Sequence, residues 1–277
     1  MWDRSRAEYA WLGPHLPEVD RDVTFDEVVP SLDRAGVGGV VLVQSADQLG
    51  DTQYLLEVAR AESRVLGVVG WLPLEDPATV AAQLEGVLGD PRIVGIRNLI
   101  HDRDDPDWVL RQPFDASLGL LEDAGLPFDF VSSGPDALTR LIAVADRHPN
   151  LPIVLDHLGK PAIDGDGAAL GDWERLLRAA ATRPNVHAKI SGLYATVGPM
   201  AAWTPAQVSY AAEIALDAFG GTRVMYGGDW PMSIMAGGHD RVFDALTAAT
   251  SGWSVDDREG YFWRNAGVFY RLAATAP

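Results

Sequence analysis

The chain has 277 residues, 47% of them hydrophobic and 22% charged, enough apolar material for a sizeable core. Its formal net charge of −17, from 39 acidic and 22 basic side chains, speaks against nucleic acid or an anionic membrane as partner. It contains no cysteine, which excludes disulfides and thiolate metal sites. The first eight residues lack the apolar stretch of a signal peptide, and no apolar run approaches the length of a membrane span, so we expect a cytoplasmic protein.

In chain order, a helical pattern over 25–35 ends at Gly36 and is followed by a strand over 40–44 and another over 65–71. Asp76 before Pro77 marks a helix start, an N-cap residue ahead of a proline suited to the first turn. A strand over 93–99 follows, then a helix closed at Ala124 and Gly125, and strands over 127–131, 152–157 and 186–191. Thr204 and Pro205 open the next helix, Phe219 and Gly220 close it, and a last strand covers 224–229.

Short Val/Ile/Leu-rich strands alternating with longer amphipathic stretches predict βα units on a parallel sheet buried on both faces. No linker divides the chain, so residues 1–277 are read as one α/β domain. Seven strands are visible where a (β/α)₈ TIM barrel needs eight. The helix that normally follows a first strand is present at 25–35, so the expected gap lies ahead of it. An open doubly wound sheet would also accommodate seven strands. Against it, no Gly-rich phosphate loop follows any strand, and polar residues end nearly every strand.

Side chains in a barrel strand alternate between interior and helix layer. On that rule Arg97 points inward with Gly95 and Ile93, Asp229 with Gly227 and Met225, His157 with Leu155 and Ile153, and Lys189 with His187 and Ser191. Asp156 is expected to face the other way. Gln44, Trp71, Arg97, Asp129, His157, Lys160, Lys189, Ser191 and Asp229 then gather at one mouth. Singly, each has a plain structural explanation: a satisfied histidine, an ion-pair partner, a turn before Trp230 and Pro231. Jointly they point to a site. Lys160 and Lys189 are the only lysines in a chain that otherwise uses arginine, which suggests a need for a compact ammonium with three donors.

At these residues the chain resembles the lactonase branch of the amidohydrolase superfamily, the fuconolactonase-like sugar-lactone hydrolases related to pyrone-dicarboxylate lactonases. The matching segments are Tyr9-Ala-Trp-Leu-Gly-Pro14, Gly95-Ile-Arg-Asn-Leu-Ile-His101, Leu155-Asp-His-Leu-Gly-Lys-Pro161, Ala188-Lys-Ile-Ser-Gly192 and Met225-Tyr-Gly-Gly-Asp-Trp-Pro231. They come in family order across nearly the whole chain. The resemblance implies a distorted (β/α)₈ barrel that opens a cyclic ester. It makes Asp229 the base that activates water and His157 the group that polarises the lactone carbonyl. Arg97, Lys160 and Lys189 would bind substrate hydroxyls and the carboxylate formed on ring opening. Gln44 and Ser191 would add hydroxyl contacts, and Trp71 and Trp230 apolar walls, for a small sugar lactone.

The chain departs from the family in two places. Asn98 follows Arg97 where the family often has histidine, a change expected to touch specificity at most. The family also begins with a strand carrying His-x-His just before a Trp-Asp pair, and this chain starts at Met1-Trp2-Asp3. We therefore expect a longer reading frame upstream that supplies one more strand; the rival is a natural variant without it. A catalytic zinc takes three protein ligands, and His157 with Asp229 are too few, so no resident metal is expected unless that motif is restored. The sequence leaves open a homo-oligomer. It also leaves open a metal-dependent amidohydrolase or decarboxylase on the same barrel, and a non-catalytic sugar-acid binding protein.

Overall fold

The computed structural model describes residues 1–103, 105–134, 136–164 and 167–272. Seven parallel strands pair in sequence order: β1 (Val40–Val43), β2 (Val65–Gly70), β3 (Ile93–Leu99), β4 (Phe128–Val131), β5 (Ile153–Leu155), β6 (Val186–Ile190) and β7 (Val224–Tyr226). The sheet curls, with β1 and β7 as its two edges. Helices α1 (Val29–Ala35), α2 (Leu49–Ala61), α3 (Pro77–Gly89) and α4 (Gln112–Ala124) alternate with the first four strands. Helices α5 (Ala137–Arg147), α6 (Gly167–Ala181), α7 (Pro205–Phe219) and α8 (His239–Ala249) do the same for the rest. A closing segment runs through α9 (Val255–Glu259), a π turn and α10 (Asn265–Phe269). Among the described residues no helix is long and apolar enough to cross a membrane.

Local chemistry sets the helix ends. The Asp76 carboxylate accepts from the Thr79 amide ahead of Pro77, and Thr204 with Gln207 forms a capping box ahead of Pro205. Gly36 and Gly125 end α1 and α4 in the left-handed conformation that glycine adopts without penalty. The first helical pattern is split: a 3₁₀ turn at Phe25–Glu27 precedes α1.

The outer face of the sheet packs on the helices through Ile96, Phe128, Phe130, Ile153, Leu155, Val186, Ala188 and Ile190. Inside lie Val69, Val154, Met225, Phe269 and Tyr270. This corrects the strict alternation in two strands. Ile93 packs with the outer cluster, because the β2–β3 register slips by one residue: Val68 faces Ile93 but Val69 faces Gly95. In β5 the inward residue is Val154, so Leu155 faces the helices and Asp156 follows Val154 into the barrel.

Residues 1–23 lie across the strand ends. Trp2 bridges Val23 in antiparallel fashion, and its indole donates to the Arg21 carbonyl at 2.8 Å. Trp2, Tyr9, Trp11 and Leu12 pack with Trp230, Met232, Ile234 and Met235, so this segment joins the loop after β1 to the loop after β7.

Candidate active site

Two strands end in left-handed backbone, and those two residues face each other. β5 stops at Leu155, and His157, Leu158 and Lys160 then take φ of 54°, 51° and 55°. Asp229, beyond β7, has φ of 48°. Such values are rare for residues with a Cβ and cluster at functional sites. The turn carries His157 into the barrel mouth although its neighbour Leu155 faces outward. The predicted strands over 152–157 and 224–229 are shorter for this reason.

His157 Nε2 lies 3.9 Å from Asp229 Oδ1. On its other side, His157 Nδ1 is 2.8 Å from Ser191 Oγ. The Tyr194 hydroxyl donates to Asp229 Oδ2 at 2.9 Å, leaving Oδ1 toward the histidine. Burial lowers the His157 pKa, only partly opposed by the Asp229 and Asp156 carboxylates, so the ring is neutral at pH 7. Gly192 (φ 54°) lets the three groups meet: a Cβ there would stand 2.6 Å from His157 Nδ1 and 2.7 Å from Asp229 Oδ2.

Beneath them runs a buried ionic network. Lys189 Nζ donates to Asp129 Oδ2 at 2.9 Å and to Asp156 Oδ1 at 2.5 Å; Asp156 Oδ2 accepts from Arg97 Nη1 at 2.7 Å. Tyr270, from the end of the chain's closing segment, donates to Asp129 Oδ2 at 2.8 Å. Burial works against the Lys189 charge, but the two carboxylates outweigh it and hold the ammonium above its ordinary pKa. Burial likewise opposes the Asp156 charge, and Lys189 and Arg97 override it, keeping Asp156 well below the usual carboxylate range. Asp129 moves the other way, raised by burial despite Lys189; its Oδ1 is buried and has no hydrogen-bond partner.

Gln44 is fully buried. Its amide nitrogen donates to the Arg97 carbonyl at 2.9 Å, while the Arg97 guanidinium returns a bond to the Gln44 carbonyl. Gln44 therefore stands under Arg97. Lys160, at the rim, lies 3.0 Å from His101 Nε2. Burial, then the Lys160 charge, pushes the His101 pKa down to about 3, so a neutral imidazole faces that ammonium. The Trp71 amide donates to Thr52 Oγ1 at 2.9 Å, and Trp230 is half-buried between the N-terminal segment and the core beside β1. Asn98 is buried on the helix side and donates to the Leu72 carbonyl at 3.1 Å.

Sequence reasoning missed Tyr194, Tyr270, Asp156 and His101 as members of this site. Tyr194 follows the Ala188–Gly192 segment by two residues, and His101 closes the Gly95–His101 segment, so proximity was an available signal. Asp156 was set aside by the alternation rule. Tyr270 lies 141 residues from Asp129, and nothing local marks it.

Residues 2–272 match the Amidohydrolase family. The chain belongs to it. This amidohydrolase is 33% identical over 277 residues to an L-fucono-1,5-lactonase of Burkholderia ambifaria, spanning 98% of this chain and 93% of that one. An L-fucono-1,5-lactonase of Burkholderia multivorans is 31% identical over 289 residues, 100% of this chain and 95% of the relative. A crystal structure of a Burkholderia multivorans amidohydrolase with bound zinc superposes with a TM-score of 0.89 at 28% identity, covering 98% of this chain and 96% of that one.

Among the described residues no three His, Asp or Glu side chains stand where they could share a metal, against the three that catalytic zinc takes. His157 Nδ1 is engaged by Ser191 and Asp229 Oδ2 by Tyr194, while Asp129 and Asp156 are neutralised by Lys189 and Arg97.

Proposed function

We propose that this amidohydrolase hydrolyses a sugar-derived lactone, with Asp229 as general base and His157 as the donor to the developing oxyanion. The observation that carries the reading is the 3.9 Å separation of His157 Nε2 and Asp229 Oδ1 at the barrel mouth. It occurs in a chain that aligns nearly end to end with L-fucono-1,5-lactonases. That separation is too long for a direct hydrogen bond. It lets the two groups address one reacting centre, a water on the carboxylate and a carbonyl oxygen on the N–H.

As the water attacks, its proton passes to Asp229, and charge builds on the carbonyl oxygen beside His157 and the cationic rim. Collapse of the tetrahedral species breaks the ring C–O bond; the departing ring oxygen takes the proton held by Asp229, which regenerates the carboxylate and leaves a hydroxy acid. Arg97 and Lys160 bind the substrate hydroxyls and the new carboxylate; Trp71 and Trp230 wall the ring. Lys189 contributes through Asp156, which it and Arg97 share. No resident metal takes part, a reading supported by how the carboxylates are already committed. A cytoplasmic role in carbohydrate metabolism belongs to the same proposal, supported by the sugar-lactone chemistry of the relatives and checked by cell fractionation.

The test is a panel of five- and six-membered aldonolactones followed by proton release, with and without a chelator. Turnover that survives chelation is expected. Turnover that needs added metal would favour a metal-dependent amidohydrolase or decarboxylase, and saturable binding without turnover a sugar-acid binding protein. Asp229→Asn should lower kcat by at least about 100-fold with little change in KM. Activity near the wild-type level in that variant would sink the mechanism.

A further inference from the structure

Ser191 is almost fully buried, at 1% exposure, and its hydroxyl lies against His157 Nδ1, while the other ring nitrogen, Nε2, is the one nearest Asp229 Oδ1. We infer that Ser191 is a positioning residue: its O–H donates to His157 Nδ1, which places the single imidazole proton on Nε2, toward Asp229 and the reacting centre.

Three observations lead there. A neutral imidazole has one N–H and one acceptor nitrogen, and the bond made by one nitrogen decides which. Nε2 faces Asp229 Oδ1 at 3.9 Å, so a lone pair on Nε2 would be turned toward a carboxylate, whereas an N–H there is attracted to it. The acceptor is then Nδ1, and the hydroxyl 2.8 Å away must donate. The surrounding structure leaves this contact little freedom. A Cβ at Gly192 would press on Nδ1 itself, and one at Gly227 would come 2.7 Å from the Ser191 Cβ, so both glycines exist in the space this contact occupies.

The alternative role for a buried serine against a histidine and an aspartate is a nucleophile. The bond order opposes it. A serine nucleophile presents its oxygen to the reacting space, with the carboxylate behind the ring. Here Ser191 is the more enclosed group, at 1% exposure, while the Asp229 side chain keeps 19%, so the carboxylate rather than the hydroxyl has access to the mouth.

The inference rests on the lactonase reading for its catalytic meaning, but its primary test does not require turnover. In ¹⁵N-histidine-labelled protein, with the signal assigned through His157→Gln, His157 should show a protonated Nε2 and an unprotonated Nδ1 at pH 7–8. In Ser191→Ala the two tautomers should mix. A wild-type Nδ1–H tautomer, or an unchanged tautomer in Ser191→Ala, would overturn the proposal. With a lactone that is turned over, Ser191→Ala should lower kcat about tenfold, the share of one hydrogen bond, with KM nearly unchanged. Complete loss with an acyl-serine adduct seen by mass spectrometry in the wild type would instead establish the nucleophile. If the tautomer is as stated but no lactone is hydrolysed, the lactonase reading fails and the inference stands.

Discussion

Replacing Gly192 with alanine would set a methyl group against both His157 Nδ1 and Asp229 Oδ2 in a left-handed backbone. Gly192→Ala should therefore cost about 1–3 kcal/mol of stability, read from the urea midpoint. It should also cut kcat more than KM, because the histidine and the carboxylate are forced apart; unchanged kinetics would show that the two need not be held this closely. At this scale the sequence was informative about residue type. Asp229, His157, Arg97 and the two lysines stand out as polar groups ending apolar strands. It could not say what each side chain touches. Gln44 and Ser191 are expected as substrate contacts along the chain; in the structure one bonds the Arg97 backbone and the other lies against His157 Nδ1. That difference depends on angstrom-level packing between strands far apart in sequence.

The ionic network shows how elements cooperate. β6 supplies Lys189, β4 Asp129, the turn after β5 Asp156, β3 Arg97 and the closing segment Tyr270. Lys189→Met keeps the stem but removes the charge that neutralises Asp129 and Asp156. Breaking such a buried set from one side costs about 3–5 kcal/mol, so the variant should unfold at distinctly lower urea. A loss below about 1 kcal/mol would mean that water reaches the carboxylates. All seven strands were legible from their Val/Ile/Leu runs, since burial on both faces demands that composition whatever the neighbours. Alternation failed at Ile93, where the register slips, and at Leu155, where β5 stops early and a left-handed turn reorients the next residues. Both departures come from fitting strands to one another and leave no mark in hydrophobicity.

Across the whole molecule, buried neutral histidines link stability to pH. His187 packs against Phe269 inside the sheet, and burial, with the Arg223 charge, pushes its pKa down to about 4. Its unfolded value is near 6.5. The fold excludes the charged form, so this contribution to stability is whole above pH 6.5 and is lost as pH falls toward about 4, at most roughly 1.4 kcal/mol per pH unit. His187→Phe removes the titration, so its urea midpoint should fall less than that of the wild type between pH 6.5 and 4. Parallel curves for the two proteins would exclude His187 as the source. The acidic surface, the seven βα units and the placement of polar residues at strand ends follow from composition and order along the chain. Burial, secondary-structure period and strand polarity act through near neighbours, so they can be read without coordinates. The approach of His157 to Asp229, the contact of Ser191 with His157 Nδ1 and the reach of Tyr270 to Asp129 arise only when the curled sheet brings β3 to β7 and the closing segment around one centre. Those contacts follow from closure of the chain in space, where distance along the sequence ceases to measure proximity.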